Sequence, residues 1–189
     1  CYHAEGDQGQ TKCSHALYSD DHGKTWQLSD NAGVGNGEPQ ALEREDGSIY
    51  LSARTAAGGP HLRSIVESRD AGSTWSEKRH DEALFDAYCQ GSLLKLPPAA
   101  GQPRWLYCYP AGPDRQNLTI LVSRDEGRTW NAGSRLLRTG NGQYSSMALL
   151  PNGQIGVLYD CWENQNYQLY FTTVDANELT TAIYGKKEN

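Results

Sequence analysis

Four side chains in this 189-residue sequence are of types that could act together on an anionic ligand: Glu38, Arg54, Arg115 and Tyr144. Arginine presents a planar, permanently charged fork that grips a carboxylate through two parallel hydrogen bonds, a geometry lysine does not match. A phenol, with a pKa near 10, is a weak nucleophile until a base within hydrogen-bond reach draws off its proton. Glu38, at the start of a predicted inner strand, is the candidate for that work. Two forks, a phenol and a base together describe binding of an acid followed by attack of an activated oxygen. Taken singly, each residue also has an ordinary role. The arginines read as solvated or salt-bridged surface groups, Tyr144 as an aromatic packed at a strand start, and Glu38 as a loop-end carboxylate beside Pro39.

The elements that must position these groups announce themselves by repetition. Ser19–Trp26 reads S-D-D-H-G-K-T-W, and the frame Ser-x-Asp-x-Gly-x-Thr-Trp returns at Ser68–Trp75 and Ser123–Trp130. The starts are 49 and 55 residues apart, the period of a repeat architecture. The octamer has the chemistry of a turn. Its Asp can fold back onto backbone N–H groups, its Gly can take a positive φ, and its Trp can return the chain to an apolar layer.

Between the boxes the pattern is that of strands. Lys12–Tyr18 reads as a strand after a Gly-rich loop, and Ser29–Gly37 as loop. Glu38–Glu43 leads through the turn Glu45–Ser48 into Ile49–Arg54, where Ile49, Leu51 and Ala53 alternate with Tyr50, Ser52 and Arg54. Arg54 therefore ends one face of its strand. Leu62–Glu67, Tyr88–Leu96, Arg104–Tyr109, Asn117–Val122, Tyr144–Leu150, Gln154–Tyr159 and Tyr167–Val174 are the further predicted strands. Pro97–Pro103 and Pro151–Gly153 read as turns, Pro110–Arg115 and Asp160–Gln165 as loops. No segment holds a helical period over three turns. Meanders of about 50 residues stacked side by side are the blades of a β-propeller, so the fold class is all-β, a partial propeller of about three and a half four-stranded antiparallel blades with three boxes. Ring closure needs more blades than these, and the earliest ones are expected outside the chain. The three box tryptophans are assigned to blade packing.

Composition narrows the function classes. A net charge of −6 without a basic run argues against nucleic-acid binding. No apolar run approaches a membrane span. Twenty glycines and eleven tyrosines against two phenylalanines and one methionine suit a turn-rich β protein. The five cysteines lack metal-ligand spacing and read as small buried thiols, with a Cys89–Cys108 disulfide as the alternative. Tyr88–Gln90 and Tyr107–Tyr109 stand where they could line a pocket.

Three segments carry a resemblance. Gly37-Glu-Pro-Gln40, followed by Leu42–Ile49 and ending at Ser52-Ala-Arg54, sets Glu38 and Arg54 16 residues apart. Asp114-Arg115-Gln-Asn-Leu-Thr119 and Gly142-Gln-Tyr144-Ser-Ser complete the set. These resemble the glutamate-to-arginine, later-arginine and tyrosine segments of the exo-α-sialidase (neuraminidase) family, six-bladed propellers whose turns are called Asp boxes. The resemblance extends over nearly the whole chain and implies that residues 1–189 are the C-terminal portion of such a catalytic domain. It implies a retaining exo-sialidase that releases terminal sialic acid from glycoconjugates, with Tyr144 as nucleophile, Glu38 as its base, and Arg54 and Arg115 on the sialic acid carboxylate. The family's Arg-Ile-Pro-type arginine and aspartic acid/base come from early blades and are not among these residues, so the chain by itself is expected to hold an incomplete site. That chemistry requires neither metal nor organic cofactor. The implied partner is a sialylated glycan, and the family favours a secreted or periplasmic setting. The competing reading is a non-catalytic Asp-box propeller that binds a glycan or a protein.

Overall fold

The computed structural model describes residues 2–5, 11–33 and 37–180, and among them the regular structure is β apart from two single 3₁₀ turns. The chain divides into two compact units with the boundary between Gln90 and Gly91.

The first unit holds β1 (Tyr2–Glu5), β2 (Thr11–Ser14), β3 (Leu17–Tyr18), β4 (Gln27–Leu28), β5 (Gly37–Glu43), β6 (Ile49–Arg54), β7 (Leu62–Ser68) and β8 (Arg79–Phe85). β1 pairs with β2, β3 with β4, and β5 to β8 form a four-stranded antiparallel meander. The second unit holds β9 (Ser92–Ala99), β10 (Gln102–Gly112), β11 (Gln116–Ser123) and β12 (Gly133–Asn141), again a four-stranded meander, then β13 (Ser145–Leu149), β14 (Gln154–Glu163) and β15 (Asn166–Asp175) as a three-stranded one. Strands joined in chain order by short turns are the blade pattern that the repeated octamer implies.

The middle strands are buried on both faces. Tyr50, Leu51, Ser52 and Ala53 of β6 are all buried, as are Trp105–Tyr109 of β10. Leu96, Leu106, Cys108, Leu118, Ile120 and Val122 pack with Ile155, Val157 and Tyr159 into the core of the second unit. Ala32, Leu51, Ala53 and Val66 form a smaller cluster in the first, with Trp75 against it.

The three boxes are one hydrogen-bonded circuit written three times. In the first, the Ser19 hydroxyl donates to Asp21 at 2.8 Å and accepts the Gly23 N–H at 2.8 Å. Asp21 then takes the Thr25 N–H at 2.8 Å and the Thr25 hydroxyl at 2.6 Å. Ser68, Asp70, Gly72 and Thr74 repeat these bonds, as do Ser123, Asp125, Gly127 and Thr129. The residue before each box glycine is left-handed as well, at His22 (φ 59°), Ala71 (57°) and Glu126 (58°). The glycine carries its own positive φ without strain, and the serine–aspartate bonds hold the neighbour that lacks that freedom.

Several sequence expectations are corrected. Lys12–Tyr18 breaks at His15–Ala16, because the His15 ring bonds the Ser29 carbonyl at 2.9 Å and the Ala16 N–H goes to the Ser29 hydroxyl at 2.9 Å. β9 runs through Pro97 and Pro98, and the turn is Ala100–Gly101 alone, both at positive φ. The prolines are tolerated beside a register shift between Gln102 and Arg104. β10 continues through Pro110 to Gly112, and β14 through the expected loop to a two-residue turn at Asn164–Gln165, φ 49° and 65°. Tyr88–Gly91 precedes β9 rather than opening it. Cys89, Cys108 and Cys161 are buried free thiols, so the Cys89–Cys108 disulfide is absent. Burial pushes the Cys108 thiol up to about 12, leaving it protonated and inert. Trp130 is buried and Trp75 half-buried, but Trp26 is 59% exposed, since the two-residue strands β3 and β4 offer too little surface to cover it.

The Asp21 carboxyl is lowered from 3.8 to about 2, chiefly by the Thr25 hydroxyl, then by the Thr25 N–H and Ser19. A carboxylate depressed on folding stabilises fully above its unfolded pKa and stops doing so as pH falls through the folded one. The stability gap between wild type and Asp21→Asn is therefore expected to be constant from pH 7 to about 5 and to close between about 4 and 2. Thermal melts across that range check it; a gap that widens on acidification would contradict the circuit.

Candidate functional site

In the first unit the site starts from a break in a ladder. Gly37 pairs with Arg54 and Gln40 with Ser52, with the register shifted between them, so Glu38 and Pro39 together face Ala53. This is a β-bulge, in which two residues oppose one and a side chain is re-aimed. Pro39 has no N–H to lend the ladder, which makes the bulge its natural place. Glu38 sits at φ 45°, a conformation costing on the order of 1–3 kcal/mol that persists only when the surroundings enforce it. Because the residue across from Arg54 is a glycine, the guanidinium meets no side chain there. It reaches instead to Glu38, Nη1 to Oε1 at 3.0 Å, with the two side chains 26% and 20% exposed.

In the second unit the backbone is bent three times in four residues. The 3₁₀ turn Pro113–Arg115 joins β10 to β11, and Asp114 (φ 54°), Arg115 (φ 55°) and Asn117 (φ 61°) are all left-handed. Hydrogen bonds fix this shape: Gly142 N–H to the Arg115 carbonyl at 3.0 Å, and Gly140 N–H to the Asn117 side-chain oxygen at 3.3 Å. Arg115 Nη1 donates to Gln143 Oε1 at 2.6 Å, and the Gln143 amide donates in turn to Asn141 Oδ1 at 3.3 Å. The Arg115 guanidinium also lies over the Tyr144 ring, 5.7 Å from its centre. A cation on that face draws on the ring's quadrupole.

Tyr144 stands one residue before β13 and is 38% exposed, so it is not the packed aromatic of the ordinary reading. Its backbone is clamped by Asp160 of β14. The Tyr144 N–H goes to Asp160 Oδ1 at 2.8 Å, and the Asp160 N–H returns to the Tyr144 carbonyl at 3.1 Å. The Gln143 N–H adds a bond to the Asp160 carbonyl at 2.9 Å. Gly142 is required just upstream, because a Cβ there would stand 2.9 Å from Cβ of buried Leu118.

The first unit brings Glu38 onto Arg54, and the second brings Arg115 across the Tyr144 ring. Gln143 and Asp160 were not foreseen. Gln143 is neutral and has no ligand spacing; Asp160 fell in a segment read as loop, and only the pairing of Ser145 with Tyr159 brings it beside Tyr144. Tyr107 and Tyr109 leave the candidate pocket. Both are buried, stacked on each other at 5.1 Å, and belong to the core. Among the described residues no cluster of three or more His, Cys, Asp or Glu is arranged to hold a metal ion.

Antiparallel meanders closed by Asp boxes, with arginine-bearing strand ends, define the chain as part of a β-propeller of the exo-sialidase type. A family model described as BNR repeat-like domain matches residues 1–157, and the chain belongs to that family. It is 33% identical to a sialidase of Micromonospora viridifaciens over 151 residues, covering 77% of this chain and 23% of that protein. A sialidase of Bacteroides fragilis is 31% identical over 151 residues, covering 76% and 27% respectively. Among solved structures, a Hadza microbial sialidase superposes with a TM-score of 0.77 at 28% identity, covering 92% of this chain and 34% of that one. The chain spans about a quarter of the length of the two curated relatives.

Replacing Gly142 by Ala forces a methyl onto Leu118, and overpacking of this kind costs about 1–3 kcal/mol. Urea denaturation is expected to show that loss, with the slope against denaturant unchanged. Wild-type stability would show that the approach to Tyr144 is not as tight as described.

Proposed function

We propose that the protein is a retaining exo-sialidase that releases terminal α-linked sialic acid from glycoconjugates. The observation that carries this reading is the pairing of a guanidinium with each reactive candidate: Arg54 on Glu38, and Arg115 across the face of Tyr144. Sialic acid bears a carboxylate on its anomeric carbon. An aspartate or glutamate nucleophile would approach that carbon charge against charge, whereas a neutral phenol does not, and sialidases are the known tyrosine exception among glycosidases.

In the first step the Tyr144 oxygen forms a bond to the anomeric carbon while Glu38 takes the phenolic proton and the bond to the aglycone oxygen breaks. An acid protonates that departing oxygen; by family resemblance it is an aspartate of an earlier blade. In the second step water attacks the same carbon, its proton goes to the carboxylate that gave one up, and the tyrosyl oxygen leaves and regains its proton from Glu38. Inversion twice gives retention. Arg54 and Arg115 act throughout on the substrate carboxylate, where planar forks give two bonds each. The Glu38–Arg54 contact holds both long side chains before substrate arrives, which lowers the entropy lost on binding.

Removing the phenolic oxygen separates this reading from that of a non-catalytic glycan-binding propeller. Tyr144→Phe in the full-length protein is expected to lower turnover of a fluorogenic sialoside on the order of 10³-fold or more. Undiminished activity would end the nucleophile assignment. Arg115→Lys keeps the charge and loses the fork, and is expected to weaken binding of a sialic acid analogue about tenfold in titration calorimetry. Unchanged affinity would remove Arg115 from the site.

A further inference from the structure

The first unit buries a charged pair that the chemistry above does not use. Arg63 of β7 and Asp86, the residue after β8, are each 1% exposed, with Nη1 and Oδ2 3.5 Å apart. Stripping two ions of water costs several kcal/mol each, and well-packed apolar side chains often serve stability as well or better. Stability alone is therefore a weak account of the pair.

Its hydrogen bonds suggest another. Asp86 Oδ2 accepts the Thr55 N–H at 2.7 Å, and Oδ1 accepts the Cys89 N–H at 3.2 Å. Arg63 donates from Nη1 to the Cys89 carbonyl at 2.8 Å and from Nε to the Ser52 hydroxyl at 3.3 Å. Thr55 directly follows Arg54, and the ladder between β6 and β7 ends one residue earlier, at Ala53 and Ser64. The carboxylate takes over where the ladder stops. The Thr55 hydroxyl adds a bond to the Leu62 carbonyl at 2.6 Å and lies 3.0 Å from the Ser64 hydroxyl. Arg54 therefore leaves a backbone held by sheet pairing on one side and by a buried ion on the other.

We propose that Asp86, oriented by Arg63, is a positioning residue for Arg54: it fixes the Thr55 amide and thereby the direction in which the guanidinium projects toward a substrate carboxylate. This rests on the reading of Arg54 as a carboxylate ligand. Both oxygens of Asp86 face N–H donors. Asparagine at this position would turn an NH₂ group toward one of them and break the arrangement without changing side-chain volume.

The experiment is a double-mutant cycle in the full-length protein. The dissociation constant of a 2,3-unsaturated sialic acid analogue is measured by calorimetry for wild type, Asp86→Asn, Arg54→Lys and the double variant, with circular dichroism and thermal melts establishing that each is folded. Asp86→Asn is expected to weaken binding about tenfold in the wild-type background and less than twofold on Arg54→Lys, since a misaligned fork costs nothing once the fork is gone. No loss in the single variant, or an equal loss in both backgrounds, would overturn the inference. If Arg54→Lys alone leaves affinity unchanged, the assignment of Arg54 to the site fails first. Should Asp86→Asn fail to fold, Arg63→Lys takes its place in the cycle, with about a threefold loss expected on the same pattern and unchanged affinity overturning the inference.

Discussion

The proposed chemistry depends on holding long cationic side chains in place before any ligand arrives. A free arginine carries about 2 kcal/mol of rotamer entropy, which a binding event must otherwise absorb. Here one arginine is held by a carboxylate, Nη1 of Arg54 against Oε1 of Glu38 at 3.0 Å. The other is held by a neutral amide, Nη1 of Arg115 against Oε1 of Gln143 at 2.6 Å. Neither contact would form from regular strand geometry. Glu38 is aimed by a bulge and a positive φ, Arg115 by a turn with three left-handed residues, and both distortions are enforced by hydrogen bonds around them.

That strain requires a stiff scaffold, and the repeated boxes supply part of it. The second and third close the turn between the third and fourth strands of a meander, and the first joins β3 to β4, all with the same serine–aspartate–threonine circuit. None of the box side chains joins Glu38, Arg54, Arg115 or Tyr144 in the contacts described. In β6 the middle residues are buried core, and the last, Arg54, is half-buried and paired with Glu38. Asp160 has two roles, lengthening the β13–β14 pairing while clamping Tyr144.

What the sequence made legible follows from what repeats. The octamer at Ser19, Ser68 and Ser123 exposes the period, and the alternation in Ile49–Arg54 places Arg54 at a strand end, as found. Strand ends without a glycine were harder. Asn164–Gln165 turns a hairpin with two left-handed residues of which glutamine gives no hint, so the residues alone end β14 too early and put Asp160 in a loop. The outer strands β8 and β12 were not located either: Arg79–Phe85 shows no alternation, its burial running in no regular order. Glu38, Arg54, Arg115 and Tyr144 were visible through family segments. Gln143, Asp160 and Asp86 were not, because what they do depends on register and on a buried amide, neither of which leaves a spacing in the chain.

In the proposed reaction a phenolic oxygen, not a carboxylate, forms the covalent bond to the sugar. Incubation of the full-length protein with a fluorinated sialosyl fluoride, which slows the second step more than the first, followed by proteolysis and mass spectrometry, locates that bond. The expected result is a sialyl adduct on Tyr144, in the peptide that contains Gly142-Gln143-Tyr144. An adduct on Glu38 or any other carboxylate would contradict it.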